Sequence, residues 1–326
     1  MSRIGGTETG ARRLVRDEDV DIVALAGRRP LWWSLLGALR LHQWLKNCLL
    51  FVPMVLIISQ LDWRETGIFL LGFLLWGLLA SGTYLINDVL DIEADRRHPT
   101  KQHRPIARGD VPVATATAAG VVIIGASLVG AWLLQPTFCL ALLVYLVLTL
   151  AYSFRLKQVA LLDVFIVATL YTLRIVGGMV LLSQPPSDWL LTFSIFFFLS
   201  LALMKREVEL NVVQRQNQVV SHRRGYTTAD RGFITTIGIA SGMASLVIFS
   251  LFVSAAAASM SNYGIPALLW GSMAVVGYWL AHMWLLTTRG EMNDDPILYA
   301  ARDWTSIFLG ALTLAFALAA QVLRFT

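Results

Sequence analysis

Residues 66–95 read TGIFLLGFLLWGLLASGTYLINDVLDIEAD, and this stretch decides the fold class. From Thr66 to Asn87 there is no charged residue. A helix needs about 20 such residues to cross the hydrocarbon core of a bilayer. The run then ends on Asp88, Asp91 and Asp95, so it reads as a membrane helix that meets water at three carboxylates. Working outward, similar apolar runs begin near Trp44, Thr66, Ala114, Thr137, Leu161, Trp189, Phe233, Gly264 and Trp304. They are too long and continuous for barrel strands. The chain of 326 residues is 56% hydrophobic and 14% charged, where a soluble chain carries about a quarter charged residues. The reading is an all-α, polytopic membrane protein with nine transmembrane helices. Cys48 and Cys139 both lie in apolar runs, which leaves no disulfide framework and no zinc pattern.

Residues 1–30 are polar, mixed in charge and without an apolar core, so they read as a tail and not as a signal peptide. The transmembrane unit is expected over 31–326. Leu31 to Gln43 opens it as an amphipathic segment whose Trp32 and Trp33 suit the headgroup region. The tail up to Lys46 and the segments 87–113, 155–160, 205–232 and 287–303 together hold 23 of the 26 Lys and Arg. The positive-inside rule places that group in the cytoplasm. The net charge of +5 is therefore a matter of topology, with no nucleic-acid partner implied. The expected location is the inner (cytoplasmic) membrane, multi-pass, with a cytoplasmic N-terminus and an external C-terminus.

At about 100° per residue, Asp88, Asp91 and Asp95 fall within about 60° of one another. Three carboxylates on one stripe repel unless a cation joins them. Mg²⁺, with few carboxylates and a substrate phosphate, is the usual solution. Lys101, Arg104 and Arg108 follow at once, beside Arg96 and Arg97. Acid followed by base in one loop suits a metal-bound diphosphate, whose other oxygens want cationic donors. Lys46 is either a snorkelling anchor or a phosphate ligand. Arg174 lies midway along a span, where a charge is a functional hypothesis by default. It would pair either with a lipid phosphate or with a carboxylate of another helix. Glu291 to Asp295 is either a solvated loop or a cover over the cavity.

The pattern Asn87-Asp88-x-x-Asp91-x-x-x-Asp95, followed by Arg104-Pro105-Ile106 and Gly109, resembles the UbiA superfamily of intramembrane prenyltransferases. The resemblance implies nine helices around a central cavity open to the cytoplasmic side. It also implies that Asp88, Asp91 and Asp95 bind Mg²⁺ and a diphosphate substrate, with Asn87 completing or orienting the site. One departure stands out. Where members carry a second Asp-rich motif after the sixth span, this chain reads Lys205-Arg206-Glu207-Val208-Glu209-Leu210. A narrower likeness, in His42 to Asn47, Tyr152-Ser153 with Leu156-Lys157, Asp163 with Arg174, Lys205-Arg206 with Glu209-Leu210, and Tyr226, is to the decaprenyl-phosphate phosphoribosyltransferase branch.

That likeness implies Mg-dependent transfer of 5-phosphoribose from phosphoribosyl diphosphate to a polyprenyl phosphate. Lys46, Lys101, Arg104, Tyr152, Lys157, Asp163, Arg174, Lys205, Arg206 and Tyr226 would then line a cytoplasmic cavity around the substrates. A homo-oligomer is left open. Two rivals remain: an aromatic prenyltransferase using a polyprenyl diphosphate, which the missing second Asp motif weighs against, and a cation-coupled transporter. The latter would place its acids near the midplane.

Overall fold

Asp62 and Glu65 open the most informative helix. The Asp62 carboxylate accepts from the Glu65 backbone N–H at 2.8 Å, and the Glu65 carboxylate accepts from the Asp62 N–H at 3.2 Å. This reciprocal cap satisfies two N–H groups that the first turn would otherwise leave unpaired. In the computed structural model, which describes residues 30–57, 62–97, 100–183, 187–215, 225–259, 263–292 and 295–323, every long element is helical. In chain order these are α1 (Leu31–Ala38), a 3-10 run (Leu41–Phe51) leading into α2 (Val52–Leu56), α3 (Trp63–Leu90), α4 (Ile92–Arg96), α5 (Pro105–Arg108), α6 (Val113–Leu134) and α7 (Pro136–Phe154). After these come α8 (Leu162–Leu181), α9 (Asp188–Arg215), α10 (Arg231–Ser259), α11 (Leu269–Arg289), α12 (Pro296–Ala300) and α13 (Trp304–Val322).

Among the described residues, eight helices are long and apolar enough to cross a membrane: α3, α6, α7, α8, α9, α10, α11 and α13. They start within a few residues of the expected positions. The ninth expected span, from Trp44, is not a long α-helix. Its 11 residues of 3-10 helix and the 5 of α2 reach about 30 Å, at about 2.0 and 1.5 Å per residue. Tertiary seating explains the tighter winding. A β-carbon at Gly178 would overlap the Leu50 carbonyl oxygen, and one at Gly77 would overlap the Trp44 ring. The Trp44 indole N–H donates to Ser81 Oγ at 2.9 Å, and that hydroxyl donates to the Leu39 carbonyl at 2.7 Å.

Helix length positions the polar chemistry. α3 and α9 have 28 residues each, about 42 Å of helix against about 30 Å of hydrocarbon. Both helices are longer than that layer is thick, and their C-terminal halves carry Asn87 and Asp88 on α3 and Lys205 to Glu209 on α9. One apolar core lies among α8, α9, α10 and α11, around Tyr171, Phe198 and Trp284; a second, around Trp76 and Phe138, joins α3, α7 and α8. At the far end Gln321 donates to the Val55 carbonyl at 2.9 Å, tying α13 to α2.

Candidate active site

The acidic stripe forms only in part. α3 stops at Leu90, and Asp91 turns the chain (φ −93°, ψ 8°) into α4. Asp88 and Asp95 stay on one side and are both buried, with 4% and 1% of their surface exposed. One Arg104 nitrogen bridges them, 3.1 Å from Asp88 and 2.5 Å from Asp95. Asp91 faces elsewhere and meets Lys157 Nζ at 3.3 Å. Among the described residues no three acidic, His or Cys side chains are gathered closely enough to hold a metal between them. The stripe presumed an unbroken helix, and the break at Asp91 leaves Asp88 and Asp95 together with Asp91 turned away.

The pair still suits Mg²⁺. Asp95 Oδ1 is buried without any hydrogen-bond donor, an arrangement that is costly for an anionic oxygen unless a cation meets it. Mg²⁺ needs only one or two protein carboxylates when a substrate supplies further oxygens. Asn87, partly buried, directly precedes the pair.

Arg40 was missed by the sequence reading. It sits just past α1 in the left-handed region (φ 51°), uncommon for a residue with a β-carbon, and its guanidinium lies 2.5 Å from Asp88 Oδ1. The same group stacks on Tyr84, 5.2 Å from the ring centre. The amphipathic segment before it offered a membrane contact but no hint of a partner 48 residues away. Lys101 lies in the turn Lys101–His103, three residues before Arg104.

A second cluster surrounds α9. Lys205 Nζ is 2.7 Å and Lys46 Nζ 3.4 Å from Asp295 Oδ2. Asp295 Oδ1 accepts from the Ile297 N–H at 3.1 Å and caps α12. Burial alone would raise the Asp295 carboxyl, but Lys205 and Lys46 outweigh it and hold the group well below the usual carboxylate range. Of the segment Glu291 to Asp295, read as a solvated loop or a cover, Asp295 is the residue that meets these lysines; 293–294 lie outside the described residues.

Arg206 behaves differently from its neighbour. It is 2% exposed. Its Nε meets Asp163 at 2.7 Å, one terminal nitrogen meets Glu209 at 2.5 Å, and the other lies 3.5 Å from the Tyr152 hydroxyl. The Tyr226 hydroxyl donates to Asp163 at 2.5 Å and accepts from the Leu161 N–H at 2.7 Å. Burial, and then the hydrogen bond to Asp163, push the Tyr226 hydroxyl above its ordinary value and keep its proton in place. Arg206, Asp163 and Tyr226 thus form a buried tie between α8, α9 and the segment before α10. The sequence reading expected substrate contacts from these residues, and in the fold they contact one another.

Arg174 is buried, at 4% exposure. It donates to Asn47 Oδ1 at 3.0 Å, the Leu170 carbonyl at 2.6 Å and the Tyr145 hydroxyl at 2.9 Å. It stacks on Tyr145 and Tyr171, and Lys46 approaches the same Tyr171 ring. No described carboxylate pairs with it, so of the two expected partners the carboxylate of another helix is not found. An apolar cavity of about 420 Å³ lies between the 3-10 run, α2, α9, α10, α11 and α13, lined by Cys48, Phe51, Val55, Phe193, Phe252 and Leu314.

A family model described as the UbiA prenyltransferase family matches residues 48–308. The uncharacterized protein y4nM of Sinorhizobium fredii is 45% identical over 85% of this chain and 54% of its own, so the chain spans about half that relative's length. Nodulation protein NoeC of Azorhizobium caulinodans is 33% identical over 83% of this chain and 87% of its own. Decaprenyl-phosphate phosphoribosyltransferase of Mycobacterium tuberculosis is 37% identical over 61% of this chain and 68% of its own. A solved structure of a UbiA homolog from Archaeoglobus fulgidus bound to GPP and Mg²⁺ superposes with a TM-score of 0.63 at 15% identity, covering 89% of this chain and all of that one. At that identity the likeness shows the fold.

Proposed function

The chain belongs to the UbiA prenyltransferase family, and from that premise we propose that it transfers 5-phosphoribose from phosphoribosyl diphosphate to a polyprenyl phosphate at the cytoplasmic face of the inner membrane. The observation that carries the reading is the convergence of Lys46 and Lys205, from α9, on Asp295. A prenyl diphosphate enzyme would need carboxylates and a second metal there. Lysines suit a sugar donor that brings its own phosphates. The name of the mycobacterial relative supports the same donor.

The reaction forms a bond from a lipid phosphate oxygen to C1 of ribose as the C1–oxygen bond to diphosphate breaks, and the electron pair leaves with diphosphate. The nucleophile is already anionic at neutral pH, so no general base is required. Asp88 and Asp95, with Asn87 beside them, would hold Mg²⁺, which when bound would neutralise charge on the departing diphosphate. Arg104 holds this pair and Lys157 holds Asp91, so both provide cations beside the site. Lys46 and Lys205 seat donor phosphate. Arg174 draws the lipid phosphate inward, and the apolar cavity takes the first part of the chain.

Purified protein supplied with phosphoribosyl diphosphate, a polyprenyl phosphate and Mg²⁺ is expected to release diphosphate and form the lipid-linked sugar phosphate. In sealed vesicles the donor should be used only from the cytoplasmic side. Turnover of a polyprenyl diphosphate with an aromatic acceptor instead would replace this reading with the aromatic prenyltransferase one. The lipid's place is tested separately. Cys48 lines the cavity and is exposed to it, so in a Cys139→Ser background its alkylation by a membrane-permeant maleimide should slow when polyprenyl phosphate is present. An unchanged rate would move the lipid out of this cavity.

A further inference from the structure

Lys46 and Lys205 belong to elements far apart in sequence, yet both ammonium groups point at one oxygen of Asp295. Two lysines carry six N–H donors between them. A single carboxylate oxygen uses few of those donors and brings one negative charge to two positive ones. The other oxygen is engaged at the N-terminus of α12. Asp295 is half of no catalytic pair in the transfer described above, yet it occupies the lysines assigned to the donor.

We propose that Asp295 is an internal stand-in for substrate phosphate, seated on Lys46 and Lys205 until an anion of higher charge displaces it, and so a determinant of donor specificity. This rests on the transferase reading of the same site. A singly charged anion gains nothing over the carboxylate already present. A diphosphate, or a sugar carrying one, offers more acceptor oxygens and more charge and wins the exchange. The carboxylate stays ionised at neutral pH, since its two lysines keep it well below the usual range despite burial. It is therefore a competitor under working conditions. The same contact spares the two lysines mutual repulsion while no donor is present.

The test is Asp295→Asn in the full-length protein in nanodiscs. Asn is among the favoured helix N-caps, so the bond to the Ile297 N–H and the start of α12 are retained. Binding of inorganic phosphate and of inorganic diphosphate is measured by calorimetry on both proteins, with thermal denaturation as a check of folding. Wild type is expected to prefer diphosphate strongly. Asp295→Asn should bind phosphate roughly tenfold more tightly, a change of about 1.4 kcal/mol, and the preference should narrow. Unchanged or weaker phosphate binding by a folded variant would overturn the proposal, because a residue that merely holds the lysines in place would lower affinity when altered. No binding of either anion by either protein would also overturn it. If Asn proves unstable, Asp295→Ser keeps a capping oxygen and carries the same expectation. Failure of wild type to prefer phosphoribosyl diphosphate over inorganic diphosphate would count against the sugar donor. The anion measurements would still decide the role of Asp295.

Discussion

Asp88→Asn is expected to reduce turnover by about a thousandfold or more while the protein remains folded and membrane-embedded. The substitution keeps the shape of the side chain and removes its charge. Asp88 is buried and takes two guanidinium groups, from Arg40 and Arg104. Asn would leave both facing an amide and would strip the proposed cation site of one of its two buried carboxylates. Loss of a single charge-stabilising group at a developing anion typically costs 10²- to 10³-fold, and loss of the metal that neutralises the leaving group costs more. Turnover at saturating Mg²⁺, measured with thermal denaturation as a folding check, decides the matter. Chelation by EDTA should reproduce the defect in wild type and change the variant little. A folded Asn variant within tenfold of wild type would remove Asp88 from the metal site.

Arg206→Ala is expected to act mainly on stability. Its partner Asp163 is fully buried, and removing the arginine leaves that carboxylate with the Tyr226 hydroxyl as its side-chain donor among the described residues. Breaking a buried pair from one side costs about 3–5 kcal/mol. Asp163→Ala should cost less, since Arg206 keeps Glu209, and the double variant should cost less than the sum, since only Arg206→Ala leaves a charge stranded. Lys205→Ala should separate from these. It removes a charge-assisted donor worth about 2–3 kcal/mol, or roughly 30- to 150-fold in use of the sugar donor, with little loss of stability. Unfolding midpoints and donor titrations on the same set of variants resolve the two roles. A stable Arg206→Ala protein with a greatly raised donor KM would return Arg206 to the substrate.

The membrane architecture was legible because its cause is one-dimensional. A bilayer selects for apolar runs of fixed length, and eight of the expected spans are found as long helices. The first was misjudged, since 3-10 winding follows from close seating on Gly178 and Gly77, and neither glycine announces its partner. Site chemistry was legible by residue type and illegible by pairing. Lys205 and Arg206 are adjacent in sequence, but the turn of the helix sends one to Asp295 and the other inward to Asp163. Asp88, Asp91 and Asp95 have the spacing of a stripe, and the break at Asp91 splits them. Arg40 and Asp295 were passed over as ligands because each gains its role from a contact made across the fold.

Arg174 carries a consequence for ionic strength. Salt screens charges through mobile ions, with a Debye length of about 8 Å at 0.15 M, and those ions have no access to a guanidinium enclosed by Tyr145, Tyr171 and Asn47. Arg104 and Lys157, each about a quarter exposed, lie where electrolyte can reach them. The molecule thus holds two kinds of positive charge, one that weakens in concentrated buffer and one that does not. If the proposed transfer holds, contacts a water-soluble donor makes with Arg104 and Lys157 would weaken as salt rises, while the contacts of Arg174 would not.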